Sequence, residues 1–337
     1  MRALSLTTPA PIENHPLALV EIPVPKPGPG ELLVKIGACG VCRSNLHMIE
    51  GDWAANGVPA KSPIIPGHEI CGSVAELGAG VTSFALGQRV GIQPLWSTCG
   101  RCEYCLTGRD PYCQAKHITG ETVDGGYAEY MIAKAEHAYA VPDELSDADA
   151  APLFCPGITA YGAVACADLA PGKAVAVFGM GGVGHMVVQF ARLTGAEVTV
   201  VARGRKHLAL AEQLGAVRTI DATASDPVAE LKRAGGVDST IVFAPSTPVL
   251  QQALAATKAA GTIVVGAHAE IGPFNFADGK KIVGSLLGNR QQMREVLALA
   301  AAGKVKSYVE TFPLEQGEEA LARLKAGTIE ARAVLVM

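Results

Sequence analysis

The sequence predicts an α/β protein of two regions, a β-rich region and a doubly wound parallel sheet. Three observations support this fold class. The length of 337 residues exceeds that of an ordinary single domain. All nine cysteines lie between Cys39 and Cys166. From Lys173 onward, apolar runs typical of buried strands alternate with helical segments, whereas the preceding half is rich in glycine and proline.

The first region contains short strand-like runs, for example residues 32–36 and 72–77, separated by glycine and proline. This pattern predicts an irregular, partly barrel-shaped β domain.

The second region contains six apolar runs of strand length with helical segments between them. The predicted strands are residues 174–178, 197–201, 217–220, 239–243, 262–266 and 282–286. One intervening helix, residues 205–214, ends at Gly215, a typical C-terminal cap. Strands alternating with helices predict the parallel sheet. After about Arg294 a helical pattern begins, and the strand-like run 333–336 follows it.

The charge balance excludes several classes of partner. Net charge is −4 and the pI is about 6.1, so the sequence indicates neither a nucleic-acid nor a membrane-surface partner. No stretch approaches the roughly 18–20 apolar residues that a bilayer requires, and the first residues do not resemble a signal peptide. We expect a cytoplasmic protein. Nine cysteines in a reducing compartment favour metal binding or catalysis over disulfides.

Four cysteines lie close together in the first region: Cys99, Cys102, Cys105 and Cys113. Two-residue gaps allow successive thiolates to turn inward, and four sulfurs complete a tetrahedral zinc site with no open position. The spacing therefore predicts a structural zinc site. Disulfides, inert thiols and an iron–sulfur cluster are the alternatives.

Two further motifs are weak when taken alone. His68 follows Gly67 at the end of a β-like run, where an ordinary structural histidine is more common than a ligand. Gly179-x-Gly181-x-x-Gly184 follows the predicted strand 174–178 and opens a helix, as a dinucleotide-binding turn does.

The combination of motifs is far more specific than each one separately. Five motifs occur in this order: Cys39-Gly-Val-Cys42-Arg-Ser-Asn-Leu-His47, Pro66-Gly67-His68-Glu69, the four-cysteine segment, Phe154-Cys155-Pro-Gly-Ile-Thr159 and Gly179-Met-Gly-Gly-Val-Gly184. Over nearly the whole chain they resemble the zinc alcohol dehydrogenases of the medium-chain dehydrogenase/reductase superfamily. The resemblance implies a GroES-like catalytic domain, residues 1–156 with 295–337, and a Rossmann domain, residues 157–294.

The resemblance also implies a second zinc ion, with catalytic function. Its ligands would be Cys42, His68 and Cys155, and Glu69 would lie beside them or act as a transient ligand. Three cysteines remain outside both sets, and we interpret them as ordinary buried thiols: Cys39, Cys71 and Cys166.

In the family a serine and a histidine carry the substrate proton to solvent, and Ser44 and His47 match that pair. His47 could instead be a surface histidine without a role. The chain departs from the family at Asn45, where an aspartate usually orients the zinc-bound histidine. An amide can orient the ring but brings no negative charge.

Cofactor preference is predicted from the end of the second strand. An NAD site has an acid there for the ribose 2′-hydroxyl, but this chain has Ala202, followed by Arg203, Arg205 and Lys206. The missing acid and the added cations favour the 2′-phosphate of NADP, unless these cations only face solvent. The glycine-rich turn, including Gly182 and Val183, would hold the pyrophosphate. By resemblance, three further residues would contact the cofactor: Arg43, Thr159 and Arg332.

Trp53 and Trp96 occupy positions that commonly wall the substrate cleft, although both could be packing residues. An aromatic cleft favours primary or aromatic alcohols and aldehydes. We also expect a homo-oligomer, a dimer or a tetramer. The alternatives are a polyol or other medium-chain dehydrogenase that uses NAD, and a non-enzymatic redox sensor that binds zinc and nucleotide.

Overall fold

The computed structural model describes residues 1–337, and the chain forms two compact units. The first comprises Met1–Cys155 and Asn289–Met337, and the second is Pro156–Gly288. The chain returns to the first unit six residues earlier than the sequence predicts, because the helix Arg290–Ala301 packs on the first unit at the turn Ala151–Phe154.

The chain contains strands, α-helices and short 3-10 turns. The strands are β1 (Arg2–Leu6), β2 (Leu17–Glu21), β3 (Glu31–Gly40), β4 (Ile70–Leu77), β5 (Arg89–Ile92), β6 (Leu95–Ser97), β7 (His117–Ile118), β8 (Tyr130–Lys134), β9 (Ala138–Ala140), β10 (Ala174–Phe178), β11 (Glu197–Ala202), β12 (Arg218–Asp221), β13 (Val237–Val242), β14 (Thr257–Val265), β15 (Lys281–Gly284), β16 (Val309–Pro313) and β17 (Arg332–Val336). The helices are α1 (Arg43–Glu50), α2 (Glu103–Leu106), α3 (Asp147–Ala150), α4 (Pro156–Ala165), α5 (Gly184–Leu193), α6 (Arg205–Gln213), α7 (Pro227–Arg233), α8 (Thr247–Ala256), α9 (Arg290–Ala301) and α10 (Gly317–Ala326). The 3-10 turns are Ile12–Asn14, Ala54–Asn56, Asp110–Tyr112, Ala135–His137, Ala151–Phe154, Phe276–Asp278 and Leu314–Gln316. None of the helices has the length and apolar character needed to cross a bilayer.

The main sheet of the first unit has seven strands, in the order β16-β17-β3-β4-β5-β9, with β8 also paired to β3. The ten-residue strand β3 organises this sheet. Its first half pairs with β8 and its last residues, Ala38–Gly40, pair with β17. The pairing of β3 with β4 shifts register twice, and such irregularities bend a sheet. The predicted irregular β domain is confirmed.

The core of the first unit fixes the position of α1. Buried apolar side chains of this helix, Leu46, Met48 and Ile49, belong to the same cluster as Leu32 and Val34 of β3. Burial of each such side chain contributes about 1.5–3 kcal/mol. Because α1 follows directly after β3, this packing also sets the direction of the chain between them.

The second unit is a six-stranded parallel sheet in the order β12-β11-β10-β13-β14-β15. All six predicted strands are present, and the doubly wound fold is confirmed. The largest difference in bounds is at β14, which begins at Thr257 rather than at residue 262. The strand order reverses at β10, between β11 and β13, and the crevice at the carboxyl end of such a strand is where these sheets bind ligands.

Candidate active site and metal centres

The four clustered cysteines converge as the spacing predicts. The Sγ atoms of Cys102 and Cys105 are 3.5 Å apart, and those of Cys99 and Cys105 are 4.0 Å apart. A tetrahedral zinc with Zn–S bonds of about 2.3 Å would separate its sulfurs by about 3.8 Å. The donor set and spacing therefore fit zinc, and all nine cysteines of the chain are free thiols.

The backbone of this cluster is arranged for thiolates. The N–H of Cys102 donates to Sγ of Cys99 at 3.3 Å. Hydrogen bonds from the backbone N–H groups of Arg101 and Cys102 lower the pKa of Cys99 to about 6. Burial raises the pKa of Cys105 to about 11, and a divalent cation among the sulfurs would offset this because a coordinated thiol is deprotonated.

The second cluster contains ligand atoms from three separate parts of the first unit. Cys42 lies at the N-terminus of α1, His68 precedes β4, and Cys155 ends the turn Ala151–Phe154. The Sγ atoms of Cys42 and Cys155 are 3.8 Å apart, and all candidate ligand atoms, including one of Glu69, lie within 4.8 Å of one another. Two sulfurs and one imidazole with one further position fit a catalytic zinc.

Gly67 is required for the position of His68. Its φ of +100° lies in the left-handed region. A Cβ atom there would lie 2.5 Å from the ring of Tyr127 and 2.9 Å from Sγ of Cys39. A larger residue would displace the turn that presents the histidine.

Glu69 lies beside the ligands, but its carboxylate is already paired. Nε of Arg332 donates to Oε2 of Glu69 at 3.0 Å, and a second guanidinium N–H donates to Oε1. Both side chains are buried. Burial of the acid is therefore offset by a two-point ion pair. The structure gives Arg332 this partner inside the first unit, so we reassign it as the counter-ion of Glu69, and its contact with the cofactor stays a prediction.

Asn45 lies against the ring of His68, with its side-chain amide 3.3 Å from Nδ1. The hydroxyl of Tyr127 is 3.5 Å from the other end of the same amide. When Nε2 of a histidine holds a metal, Nδ1 carries the proton and needs an acceptor. The amide of Asn45 must then present its oxygen to the ring, an orientation that exchanges the two ends of the amide.

The two predicted relay residues lie on α1 but have different partners. Oγ of Ser44 is 3.1 Å from Sγ of Cys42 and 3.4 Å from Nε2 of His68, so it lies at the ligand atoms. Nδ1 of His47 is 2.6 Å from the carboxylate of Asp52, and about a third of the His47 side chain is exposed. The serine thus lies at the site, whereas the histidine reaches solvent.

The two tryptophans differ in their surroundings. The ring of Trp53 lies 5.6 Å from that of His47, next to the relay. Nε1 of Trp96 donates to the carbonyl of Ile132 at 2.9 Å, and the ammonium of Lys134 lies over its ring. These contacts are typical of a packing residue, and the role of both tryptophans in the substrate cleft stays a prediction.

The three cysteines outside both clusters do not share one environment. Cys39 and Cys71 are buried, as expected, and Sγ of Cys71 is 3.3 Å from the carboxylate of Asp147. Cys166 is exposed because it lies just beyond the end of α4. The prediction of a buried thiol is wrong at this position.

In the second unit, the glycine-rich turn connects β10 to α5. Gly179 has a φ of +101°, and a Cβ on Gly184 would lie 2.0 Å from the carbonyl oxygen of Gly179. Around Gly181 no other atom lies within 4 Å of where a Cβ would be. The tight turn and this open space at the N-terminus of a helix fit a dinucleotide pyrophosphate. Gly182 and Val183 lie between these glycines, and Thr159 is half-buried on α4.

The end of β11 carries the predicted cofactor-selecting residues. Ala202 is its last residue and is buried, and the three basic residues that follow are exposed: Arg203, Arg205 and Lys206. Asp221 stands opposite Ala202 on β12. Its carboxylate accepts hydrogen bonds from the hydroxyl and N–H of Thr223, and these bonds lower its pKa. One oxygen of this carboxylate is therefore already hydrogen-bonded within the loop that follows β12.

Comparisons with known proteins agree with this site. Residues 28–143 match the family model "Alcohol dehydrogenase GroES-like domain", and residues 182–302 match "Zinc-binding dehydrogenase". An alcohol dehydrogenase from Geobacillus stearothermophilus is 42% identical over 328 residues, 96% of each chain. The structure of an alcohol dehydrogenase from Aeropyrum pernix has a TM-score of 0.91 at 31% identity and full coverage of both chains. A cobalt- and zinc-bound alcohol dehydrogenase from Pyrobaculum aerophilum has a TM-score of 0.90 at 29% identity, covering 100% and 99%.

Fold and site together define a zinc-binding dehydrogenase, an oxidoreductase with a nicotinamide-binding domain. More narrowly, the chain belongs to the zinc-type alcohol dehydrogenases of the medium-chain dehydrogenase/reductase superfamily. The resemblance inferred from the five motifs is confirmed.

The sequence did not reveal three residues that lie at this site: Asp52, Tyr127 and Glu121. Asp52 follows α1 closely, and an acid just beyond a helix that carries His47 could have been noticed. Oε1 of Glu121 lies 3.9 Å from Nδ1 of His68. Burial raises the pKa of Glu121, and the charge of His68 acts against that rise. No local pattern indicates this acid, because 53 positions separate it from the histidine.

Proposed function

We propose that this chain is an NADP(H)-dependent alcohol dehydrogenase and aldehyde reductase that acts on primary or aromatic alcohols and holds two zinc ions. The observation that carries the proposal is the open cluster of Cys42, His68 and Cys155, with the hydroxyl of Ser44 at its ligand atoms. A closed metal site has no position for a substrate, whereas three protein ligands leave one. We further propose a cytoplasmic homo-oligomer.

When bound, the zinc supplies a Lewis acid that acidifies an alcohol or polarises a carbonyl, and the nicotinamide exchanges the hydride. The residues of this chain prepare that chemistry. Cys42 and Cys155 provide thiolates, and His68 is oriented by Asn45. Glu69 and Arg332 neutralise each other close by, so they hold the surrounding backbone without adding net charge.

The proton must leave a largely buried site during oxidation. Ser44 can accept it at the ligand atoms, where its hydroxyl already lies. His47 can release it, because Asp52 binds Nδ1 and leaves Nε2 to accept a proton near solvent. Proton transfer by positioned groups of this kind contributes to the rate most strongly when few other bases compete.

The choice of NADP rests on the end of β11. A carboxylate at position 202 would bind an unmodified ribose and repel a 2′-phosphate, and Ala202 does neither. Arg203 and Arg205 are exposed on the turn that leaves the strand, where a guanidinium can donate to phosphate oxygens. Asp221, the acid opposite Ala202, accepts from the N–H and the hydroxyl of Thr223 at Oδ1, so that oxygen is already used within its own loop.

The first test is a steady-state comparison of the two cofactors, with NADPH or NADH for a panel of aldehydes and with NADP⁺ or NAD⁺ for a panel of alcohols that includes polyols. We expect turnover, a preference for primary or aromatic substrates, and a higher kcat/KM with NADPH. A charge-assisted hydrogen bond contributes about 1.5–3 kcal/mol, so the preference attributable to one arginine is roughly ten- to a hundredfold. Absence of turnover would favour a non-enzymatic sensor, and a preference for polyols with NAD⁺ would favour a polyol dehydrogenase.

The double change Ala202→Asp with Arg203→Ala should reverse the cofactor preference. Arg233→Ala is the matched control, because Arg233 is an exposed cation of the same unit that pairs with Glu230. Both variants should keep the zinc content of the wild type. Equal or better use of NADH by the wild type would show that the cations after β11 only face solvent.

A further inference from the structure

Two carboxylates lie near His68, the buried Glu69 and the half-buried Glu121, and they differ in their partners. Glu69 is bound by the guanidinium of Arg332 at two points. Glu121 is 15% exposed, and the ion pair of its side chain is with His68, at 3.9 Å from Nδ1. A carboxylate with little exposure to water is unfavourable unless a positive group lies near it. For Glu121 that group is the imidazole ring of His68.

The loop that carries Glu121 is fixed against the turn that carries His68. A Cβ on Gly120 would lie 2.7 Å from the backbone N of Gly67, and one on Gly125 would lie 2.0 Å from its carbonyl oxygen. The backbone oxygen of Glu121 accepts from the N–H of Ala60 at 2.9 Å. Close backbone packing on both sides thus holds the acid at a defined distance from the histidine.

The charge of Glu121 is relevant because of Asn45. A histidine that holds a metal through Nε2 donates its Nδ1 proton to an acceptor, and a carboxylate there makes the ring a stronger ligand. The side-chain oxygen of Asn45 can accept that hydrogen bond, but the amide has no charge. The chain thus lacks an acid on α1 beside Nδ1 of His68, the position at which the family usually has an aspartate, and has another acid 3.9 Å from the same nitrogen.

We infer that Glu121 is a positioning residue for the catalytic zinc: its carboxylate supplies to His68 the negative charge that Asn45 does not. Asn45 orients the ring, and Glu121 provides the field that strengthens the bond of Nε2 to the metal. The two functions that one aspartate combines are thus divided between Asn45 on α1 and Glu121 on a loop. This inference rests on the zinc site proposed above.

The test measures zinc affinity by competition with a chromophoric chelator, using the wild type, Glu121→Gln and the double variant Asn45→Asp with Glu121→Gln. Loss of a group that supports a metal ligand costs about 10- to 100-fold in affinity. We expect Glu121→Gln to weaken one of the two zinc sites by that factor and to leave the other unchanged. The double variant should return to within about threefold of the wild type, since the acid is then restored beside the same ring.

Substitution of cobalt for zinc provides a second readout, because its visible absorption reports the ligand field directly. The spectrum of Glu121→Gln should differ from that of the wild type, and the double variant should regain it. Asp124→Asn is the matched control for loosening of the loop, since Asp124 lies in the same loop but binds Lys61 and the N–H of Ile65. It should leave zinc affinity and spectrum unchanged.

The outcomes separate this inference from the function it rests on. A wild type that binds a single zinc, at the four-cysteine cluster, would overturn both. A wild type with two zinc ions but unchanged affinity and spectrum in Glu121→Gln would overturn only the role of Glu121. The role of Glu121 would also be overturned if Asp124→Asn lowered zinc affinity as much as Glu121→Gln does, or if the double variant did not regain the zinc affinity of the wild type.

Discussion

The two sulfur clusters of the first unit are built in opposite ways. The four cysteines of the closed cluster lie within one short lobe, and backbone N–H groups of the lobe itself support their sulfurs. The open cluster joins Cys42 and Cys155, which are 113 positions apart, and side chains from several elements surround it. The comparison shows that local chain geometry is enough for a structural site, whereas a reactive site needs the whole fold.

The largest effect is expected at His68. His68→Ala should lower kcat by at least about a thousandfold, since the metal it would hold stabilises developing charge by several kcal/mol. The fold should persist, because the closed cluster is independent of this residue. Elemental analysis should find one zinc ion per chain, against two in the wild type, and the thermal midpoint should stay within a few degrees.

This result would sharpen the comparison, and two other results would break it. Loss of both zinc ions in His68→Ala would show that the clusters depend on each other. Retention of wild-type turnover would show that the open cluster is not the reaction centre.

A smaller effect of a different kind is expected at Cys105. Cys105→Ser should lower the free energy of unfolding by about 3 kcal/mol or more, because it opens a metal site whose binding energy is folding energy. Remaining folded enzyme should keep most of its turnover. Denaturant unfolding with zinc analysis measures both, and Cys166→Ser, at an exposed thiol outside both clusters, is the control. A variant as stable as wild type but inactive would reverse the roles we assign to the clusters.

The smallest effect is expected at His47, which lies outside the ligand set. His47→Gln should slow alcohol oxidation by about tenfold at pH 7 and by less at high pH, where other bases accept the proton. Added buffer base should restore part of the rate. Zinc content should not change. If the pH profile equals that of the wild type, the proton leaves by another route.

The sequence predicts the two clusters to different extents, and the reason is physical. The spacing Cys99, Cys102, Cys105 defines a turn, so these ligands follow from local geometry. Cys42 and Cys155 meet only after the sheet has formed, and they were named by resemblance to a family. The predicted folds of both units, the irregular β domain and the parallel sheet, are confirmed. They could be predicted because buried strands have clear apolar patterns in the sequence.

The sequence pattern does not predict contacts between side chains that are distant along the chain. The ion pair of Arg332 with Glu69 was not predicted, and the predicted contact of Arg332 with the cofactor stays a prediction. The hydrogen bond from the N–H of Trp96 to the carbonyl of Ile132 was not predicted either. No local sequence pattern indicated that Glu121 lies near His68. In each case the partner is far along the chain, and only tertiary packing determines it.

The ion pair between Glu69 and Arg332 has a consequence for the order of events during synthesis. The two residues are 263 positions apart, and Arg332 belongs to β17, which inserts between β16 and β3. At about 5–20 residues per second, a ribosome needs roughly 13–50 s to make the chain between them. Throughout that interval Glu69 lacks its counter-ion and one edge of β3 lacks its neighbour. The uninterrupted segment Pro156–Gly288 can meanwhile complete its sheet, so the nucleotide-binding unit can form on the ribosome before the unit that carries the metal ligands.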